Sequence, residues 1–443
     1  MVESLGYIAV QPDWTIDVKN ALDGAEGTHK FWVSAYKQGC DSIHDNIEAA
    51  GSMSAAGGAK LVSLNMASGN SDIIAEYVGP KQLRLSSRVL EIPLSLHTAA
   101  AKTVTCSHIA RGTGVRSFDI SRFGGLLVAC GDDGVMDVYE TDGGAHRVRL
   151  EGHLGDVTCC QFFPSGQVVL SGATDMRLKV WSASDGTNPV TLVGHTATIT
   201  DTAIVGVGKN VVSAAKDGTV RLWHCGSAAL LHTFELSEQP INSIDMVSRL
   251  VSDSSSSSRN NNKDQGQQKQ QQGRESESET SGKVIATACE DGRALLLNLH
   301  TRETIAEFGT IGDPPVRAVA YDAAREIVFA GLSDGTVNAW SAAHPSAPVC
   351  AIKRGVSAVS AVRLVRTSSS DPFLCVGSED GQLFLIAFSL AAGGTVASAE
   401  VVEDLVAFDV DPIGQIRVTP STKKNATRQS VWATGQCSRV CEF

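Results

Sequence analysis

From about Lys102 to the end of the chain, short apolar runs alternate with polar turns at a near-constant interval. The segments GDDGVMDVY, ATDMRLKVW, AKDGTVRLW, CEDGRALLL, LSDGTVNAW and SEDGQLFLI each set an Asp-containing turn before a strand-like alternation. In TVRLW, for example, successive side chains fall on opposite faces, the period of two expected of a half-buried strand. The turn aspartates Asp133, Asp175, Asp217, Asp291, Asp334 and Asp380 are separated by 42, 42, 74, 43 and 46 residues. The last segment, WATGQCSRVCEF, repeats the pattern with Cys437 in the Asp place and Phe443 in the aromatic place, which completes seven units. An Asp-Gly pair supplies a tight turn, because Gly accepts positive φ and Asp bonds nearby backbone. One small antiparallel sheet cannot bury both of its faces, so such units stack radially. The predicted fold class is therefore all-β: a seven-bladed β-propeller over residues 101–443. An open seam would leave unpaired backbone groups, so residues 103–110 are expected to pair beside the last blade.

Two stretches depart from the period. Residues 1–100 carry Trp14 and Trp32 in the mixed segments IAVQPDWTIDV and KFWVSAYKQGC, then LRLSSRVLEIPL, and are read as a small β-rich N-terminal domain. The 74-residue step contains SDSSSSSRNNNKDQGQQKQQQGRESESETSG, residues 252–282, inside the fourth unit. With almost nothing to bury, this tract does not offset an ordering cost of roughly 1–2 kcal/mol per residue, and a disordered insertion is expected.

The best-kept pair of units runs from Gly152 to Trp223. His153, Ser171, Asp175 and Trp181 stand in one and His195, Ser213, Asp217 and Trp223 in the other, with steps of 18, 4 and 6 residues in both. His, Ser and Asp are the residues of a nucleophilic triad. Their recurrence at repeat spacing, each set closed by Trp, favours a structural chain of buried hydrogen bonds instead. The first unit has Arg111, Ala129, Asp133 and Tyr139 at these places, and the fifth keeps Asp334 and Trp340 but has Ala330.

Composition adds limits. Thirty-seven basic and 48 acidic residues leave a net charge of −11, which disfavours a nucleic-acid surface and suits a basic partner. Eleven cysteines, an odd number without a Cys-x-x-Cys, sit largely in apolar runs, as buried free thiols of a reducing compartment do. No apolar window reaches membrane-spanning length and MVESLGYIAVQPDW lacks a basic stretch followed by an apolar core, so a cytosolic or nuclear protein is expected. GVGKN (Gly206 to Asn210) lacks the spacing of a phosphate loop, and Asn425-Ala426-Thr427 is a sequon in name only. Lys423, Lys424 and Arg428 read as a solvated loop. No catalytic residue, metal or cofactor is expected, and neither is an enzyme.

Propeller register locates a candidate binding surface. Positions flanking the start of each first strand, and those just before each turn Asp, are expected on one rim. They are Arg116, Asp132, Asp156, Thr174, Lys216, Glu290, Arg317, Ser333, Glu379 and Asp404, a mixed surface led by acid. Such a rim favours a partner with exposed Lys and Arg.

The units resemble WD repeats. RVRLEGHLGDVTCCQFFPSGQVVLSGATDMRLKVWSASDG and TDTAIVGVGKNVVSAAKDGTVRLWHCG, with FFPSGxVVLSG and DTAIVxxGxNVVSA, are similar to the proteasomal ATPase-associated factor 1 family. That resemblance implies an assembly chaperone of the proteasome regulatory particle, monomeric by itself. It would bind the C-terminal domain of a proteasomal ATPase subunit and delay its docking on the core particle. The alternative is a generic WD-repeat adaptor, such as a ubiquitin-ligase substrate receptor or a peptide reader.

Overall fold

A computed structural model describes residues 3–443 except 24–28, 54–59, 67–71, 110–113, 249–278, 311, 369–370, 391–395, 409–410, 422–427 and 436–437. The expected insertion at 252–282 therefore lies almost wholly outside the described residues, as do Arg111, Cys437, Lys423, Lys424 and the Asn425–Thr427 sequon. Chain contacts group into two compact units, one of Met1–Thr105, Gly331–Asn338 and Val349–Phe443, the other of Cys106–Ala330 and Ala339–Pro348.

The second unit is built from four-stranded sheets, each with its strands in sequence order. The first is Ser117–Ile120, Leu126–Cys130, Val135–Glu140 and His146–Glu151; the second is Val157–Phe162, Val168–Ala173, Arg177–Ser182 and Val190–Val193. The third spans Ile199–Val205 to Ala229–Glu235, and the fourth runs from Ile241–Ser248, across the insertion, to Lys283–Cys289, Ala294–Asn298 and Thr304–Phe308. Cores form between consecutive sheets, as the binary pattern requires. Trp181 joins Val128 and Met136 of the first sheet, and Trp223 joins Leu170 and Leu178 of the second.

The Asp-Gly turns behave as their chemistry dictates. Gly134, Gly218, Gly292, Gly335 and Gly381 all have φ between 73 and 95°. At Gly218 a Cβ would collide with the Ser237 carbonyl. The second sheet has no glycine at this place, and Met176 adopts φ 64° instead.

First strands of the repeats carry a feature that the linear pattern does not reveal. Their register slips by one residue at Val157/Cys159, Ile199/Asp201, Ile241/Ser243 and Val359/Ala361. The residues at the slip are Thr158, Thr200, Asn242 and Ser360. A bulge of this kind re-aims a side chain. Thr158 Oγ1 donates to the Ile199 carbonyl at 2.5 Å, Thr200 Oγ1 to Ile241 at 2.7 Å, and Asn242 Nδ2 to Val316 at 2.8 Å. Each bond crosses to the next first strand. Buried Asp119 and Asp201 and half-buried Asp245 do the same with carboxylates, accepting from the backbone N–H of Phe162, Ile244 and Tyr321.

In the first unit, the sixth sheet starts with Val359–Val365, reaches the long strand Val396–Val406 as its fourth and continues through Ile92–Ala99, Gln82–Ser87 and Ile73–Gly79; the seventh is Gln415–Thr419, Ser430–Thr434, Arg439–Glu442 and Lys102–Thr105. Lys102–Thr105 pairs antiparallel with Arg439–Glu442, so the strand preceding the first repeat supplies the fourth strand of the last. The pairing covers 102–105 rather than 103–110.

The N-terminal region differs in part from the expectation of strands alone. IAVQPDWTIDV divides into the strand Tyr7–Val10 and the helix Trp14–Asp23 (α1). Trp14, Val18 and Ala21 fall at i, i+4 and i+7 and are the buried face of α1, a helical period too short to stand out against the neighbouring alternation. That face packs on Ile8, Val10, Phe31, Val33 and Ile47 of a sheet containing Tyr7–Val10 and His29–Tyr36. LRLSSRVLEIPL forms two strands, Gln82–Ser87 and Ile92–Ala99, and the second pairs in parallel with Glu403–Val406 of the sixth sheet.

Candidate functional site

The two His-Ser-Asp-Trp sets close into identical chains. His153 Nδ1 donates to Asp175 at 2.9 Å, Ser171 Oγ donates to His153 Nε2 at 2.7 Å, and Trp181 Nε1 donates to Ser171 Oγ at 2.8 Å. In the next sheet the same contacts of His195, Asp217, Ser213 and Trp223 measure 2.8, 2.7 and 2.8 Å. Each aspartate also accepts from the backbone N–H after its histidine, Leu154 or Thr196. Ser171 and Ser213 are both wholly buried, so neither hydroxyl is open to a substrate. Burial lowers the His153 pKa against the opposing pull of Asp175, keeping the ring neutral. Burial pushes Asp175 up, but the N–H groups of Leu154, His153 and Arg177 outweigh it and hold the carboxyl below its usual range. Asp217 is depressed by the same balance. The first sheet substitutes a different set, with Asp137 taking His146 at 2.8 Å and Arg149 at 3.0 Å.

The rim positions share a local geometry. Thr174, Lys216, Glu290 and Glu379 each directly follow a second strand and donate their N–H to the carbonyl of Asp156, Thr198, Pro240 and Ala358, just before the first. Their side chains are exposed or half-buried, as are those of Arg116, Asp132, Asp156, Arg317 and Ser333. Two opposite-charge pairs form inside this set, which linear reading does not show: Arg116 with Asp132 at 2.5 Å and Arg317 with Glu290 at 3.2 Å. Asn242 Nδ2 also bonds Glu290. Among the described residues, Asp156, Glu379 and Lys216 take part in no ion pair.

Asp404 requires a correction. The register for the last repeat treats VVEDLV as a first strand, but Val396–Val406 is the fourth strand of the sixth sheet, between Leu383–Leu390 and Ile92–Ala99. Asp404 is only 7% exposed there and is bound to Arg354 at 2.5 Å. It is a buried ion-pair member, not a rim acid. The eleven-residue strand continues past the usual repeat length, so counting from the turn Asp380 places the next first strand too early.

Among the described residues no group of His, Cys, Asp and Glu is arranged to hold a metal ion.

The WD domain, G-beta repeat family matches residues 144–182 and 186–224, the two sheets that carry complete quartets. A curated relative from Dictyostelium discoideum, named probable proteasomal ATPase-associated factor 1, is 30% identical over 434 residues, covering 96% of this chain and 95% of its own length. The chain belongs to the proteasomal ATPase-associated factor 1 family. The family's Homo sapiens and Gallus gallus members are 31% and 29% identical over 166 and 165 residues, 36% of this chain and of each relative. Two solved structures, U3-55K and the WD40 repeats of RRP9, superpose with TM-scores of 0.58 at 15% identity. They cover 77% of this chain and 98% and 97% of their own, which bears on the fold alone. The fold is an all-β, seven-bladed WD-repeat propeller with a small β-rich N-terminal portion. The two complete polar sets are buried and hydrogen-bonded within their own sheets, and the candidate interaction surface is the unpaired part of the rim.

Proposed function

We propose that this protein is an assembly chaperone of the proteasome regulatory particle. It binds the C-terminal domain of one proteasomal ATPase subunit, in the cytoplasm and nucleus, and delays that subunit's docking on the core particle. The observation that carries this reading is near full-length similarity to a relative named for association with proteasomal ATPases. Charge supports it: the chain carries −11, and Asp156 and Glu379 stand unpaired at the same end of their own blades. Occupancy is the mechanism, with the bound propeller sterically excluding the core particle until assembly displaces it. A releasable interface of moderate size, steered by rim charges, suits that task and weakens as salt shortens the Debye length.

The test is Asp156→Lys combined with Glu379→Lys. Both side chains stand outside the buried cores, so the variant is expected to melt as the parent does while losing co-purification of the ATPase subunit. Unchanged co-purification would refute the rim assignment. Recovery of ubiquitin-ligase subunits in place of regulatory-particle ATPases would favour the adaptor alternative.

A further inference from the structure

A cavity of about 280 Å³ lies within the first unit, between the Tyr7–Val10 and His29–Tyr36 strands and the sixth sheet. Its origin is the alternation of the first two strands. Ile8, Val10, Phe31, Val33 and Ala35 turn inward to the α1 core, so Tyr7, Ala9, Trp32 and Tyr36 present the opposite face. Tyr7 and Tyr36 stack there with ring centroids 5.0 Å apart. Asp380, Gln382, Asp404 and His97 contribute the polar wall.

That wall leaves several polar atoms unpaired. Asp404 Oδ1 is held by Arg354, which stacks on Tyr7 and Phe384, but Oδ2 has no hydrogen-bond partner. Gln382 gives its Nε2 to Asp380 at 2.7 Å, and its Oε1 is unpartnered. His97 is wholly buried. Its Nε2 lies 3.0 Å from Ser95 Oγ and 3.7 Å from Asp404 Oδ2, and Ser95 Oγ is also 3.4 Å from the Leu85 carbonyl. His97 Nδ1 is also without a partner. Three residues of the cavity lining, Asp404, Gln382 and His97, thus each hold a buried polar atom without a hydrogen-bond partner, at a cost of about 1–3 kcal/mol apiece while unsatisfied. Charge agrees: Asp404 is paired with Arg354, Asp380 is held only by the neutral donors Ser378 Oγ and Gln382 Nε2 among the hydrogen bonds of the described residues, and burial lowers the His97 pKa and keeps it neutral. Aromatic faces beside a surplus carboxylate are the setting in which cations bind.

We propose that this cavity binds an organic cation bearing N–H donors, the guanidinium or ammonium of an arginine or lysine side chain or of a free amine. A planar guanidinium matches the set best, since its fork of donors reaches a carboxylate and an amide oxygen together while its face lies on an aromatic ring. The volume, at the low end for ligand cavities, fits one side chain rather than a large cofactor.

The experiment is calorimetric titration of the full chain with methylguanidinium and methylammonium, with tetramethylammonium as a cation that has no N–H to donate. Saturable binding of the first two at up to roughly 10 mM is expected, with tetramethylammonium at least about tenfold weaker. Ala9→Trp fills the cavity without removing a polar group and abolishes binding at an unchanged melting temperature. Asp404→Asn keeps the shape and weakens methylguanidinium about tenfold; should it unfold, Ala9→Trp still decides. Free L-arginine and acetyl-Gly-Arg-Gly-amide separate the two sources. Comparable affinities point to a side chain on a polypeptide, and binding of the free amino acid alone to a small-molecule ligand. No saturable heat with either N–H cation, or binding that survives Ala9→Trp, overturns the proposal. None of these measurements involves the ATPase, so the site and the chaperone reading stand or fall separately.

Discussion

Replacing Ser171 with Ala tests the claim that the polar quartets hold structure. The side chain is wholly buried and its Oγ serves two neighbours, donating to His153 Nε2 at 2.7 Å and accepting from Trp181 Nε1 at 2.8 Å. Alanine leaves both partners in place. Trp181 is 1% exposed and the His153 side chain 0%, so water does not take over either bond without opening the blade. Each stranded group costs about 1–3 kcal/mol, giving about 2–6 kcal/mol in all, a large share of a folded domain's typical 5–15 kcal/mol. The assay is urea unfolding followed by both circular dichroism and tryptophan fluorescence, for the parent, Ser171→Ala, Trp181→Phe and the double variant. Phenylalanine removes the indole donor, so Ser171→Ala costs less in that background, and the coupling measures the bond itself. Destabilisation under about 0.5 kcal/mol, the range of an ordinary surface change, would refute the reasoning, as would zero coupling. Ser213→Ala repeats the geometry in the next blade and is expected to behave alike.

Other predictions follow the same physics. Met176→Gly relieves a left-handed residue at φ 64° and is expected to stabilise by up to about 1 kcal/mol, read as a raised urea midpoint; no change or a loss contradicts it. Stability is expected to fall on acidification in two stages. The folded pKa of His153 lies below the ordinary 6.5, so the unfolded chain takes up a proton first and stability is lost as pH drops through about 6.5. Asp175 and Asp217, also depressed, add their loss as pH falls below the ordinary carboxylate value of 3.8. A melting temperature flat from pH 7.5 to about 5 would count against the first stage. Finally, burial raises the Cys159 and Cys289 thiols to about 12 and Cys375 further, whereas Cys40 is exposed. Alkylation of the native chain should label Cys40 and spare those three until denaturant is added, as mapped by peptide mass spectrometry.

What the sequence determined by itself was what repeats. The turn aspartates, the glycines with positive φ and the two quartets recur at fixed spacing, because each is a local requirement restated once per blade. Their hydrogen bonds needed only strand, turn and strand, and the family wording lay in the same stretch, Gly152 to Trp223. The tertiary structure decided everything that depends on which edge meets which. Val396–Val406 lengthens the sixth sheet and takes Asp404 out of the rim into a pair with Arg354, a partner 50 residues away. Arg116 and Arg317 quench Asp132 and Glu290, so the acid left for a partner is narrower than a count of charges implies. The bulged Thr158 and Thr200, and the aspartates 119, 201 and 245, tie one first strand to the next, yet in the sequence they are single polar residues in apolar runs. Trp14 to Asp23 became a helix because a buried stripe of three residues found a sheet to cover. The cavity beside Tyr7 exists only where that sheet's outer face meets the sixth blade. Local periodicity carries no information about such long-range pairings, and pairing is what sets burial, charge balance and unmet hydrogen bonds.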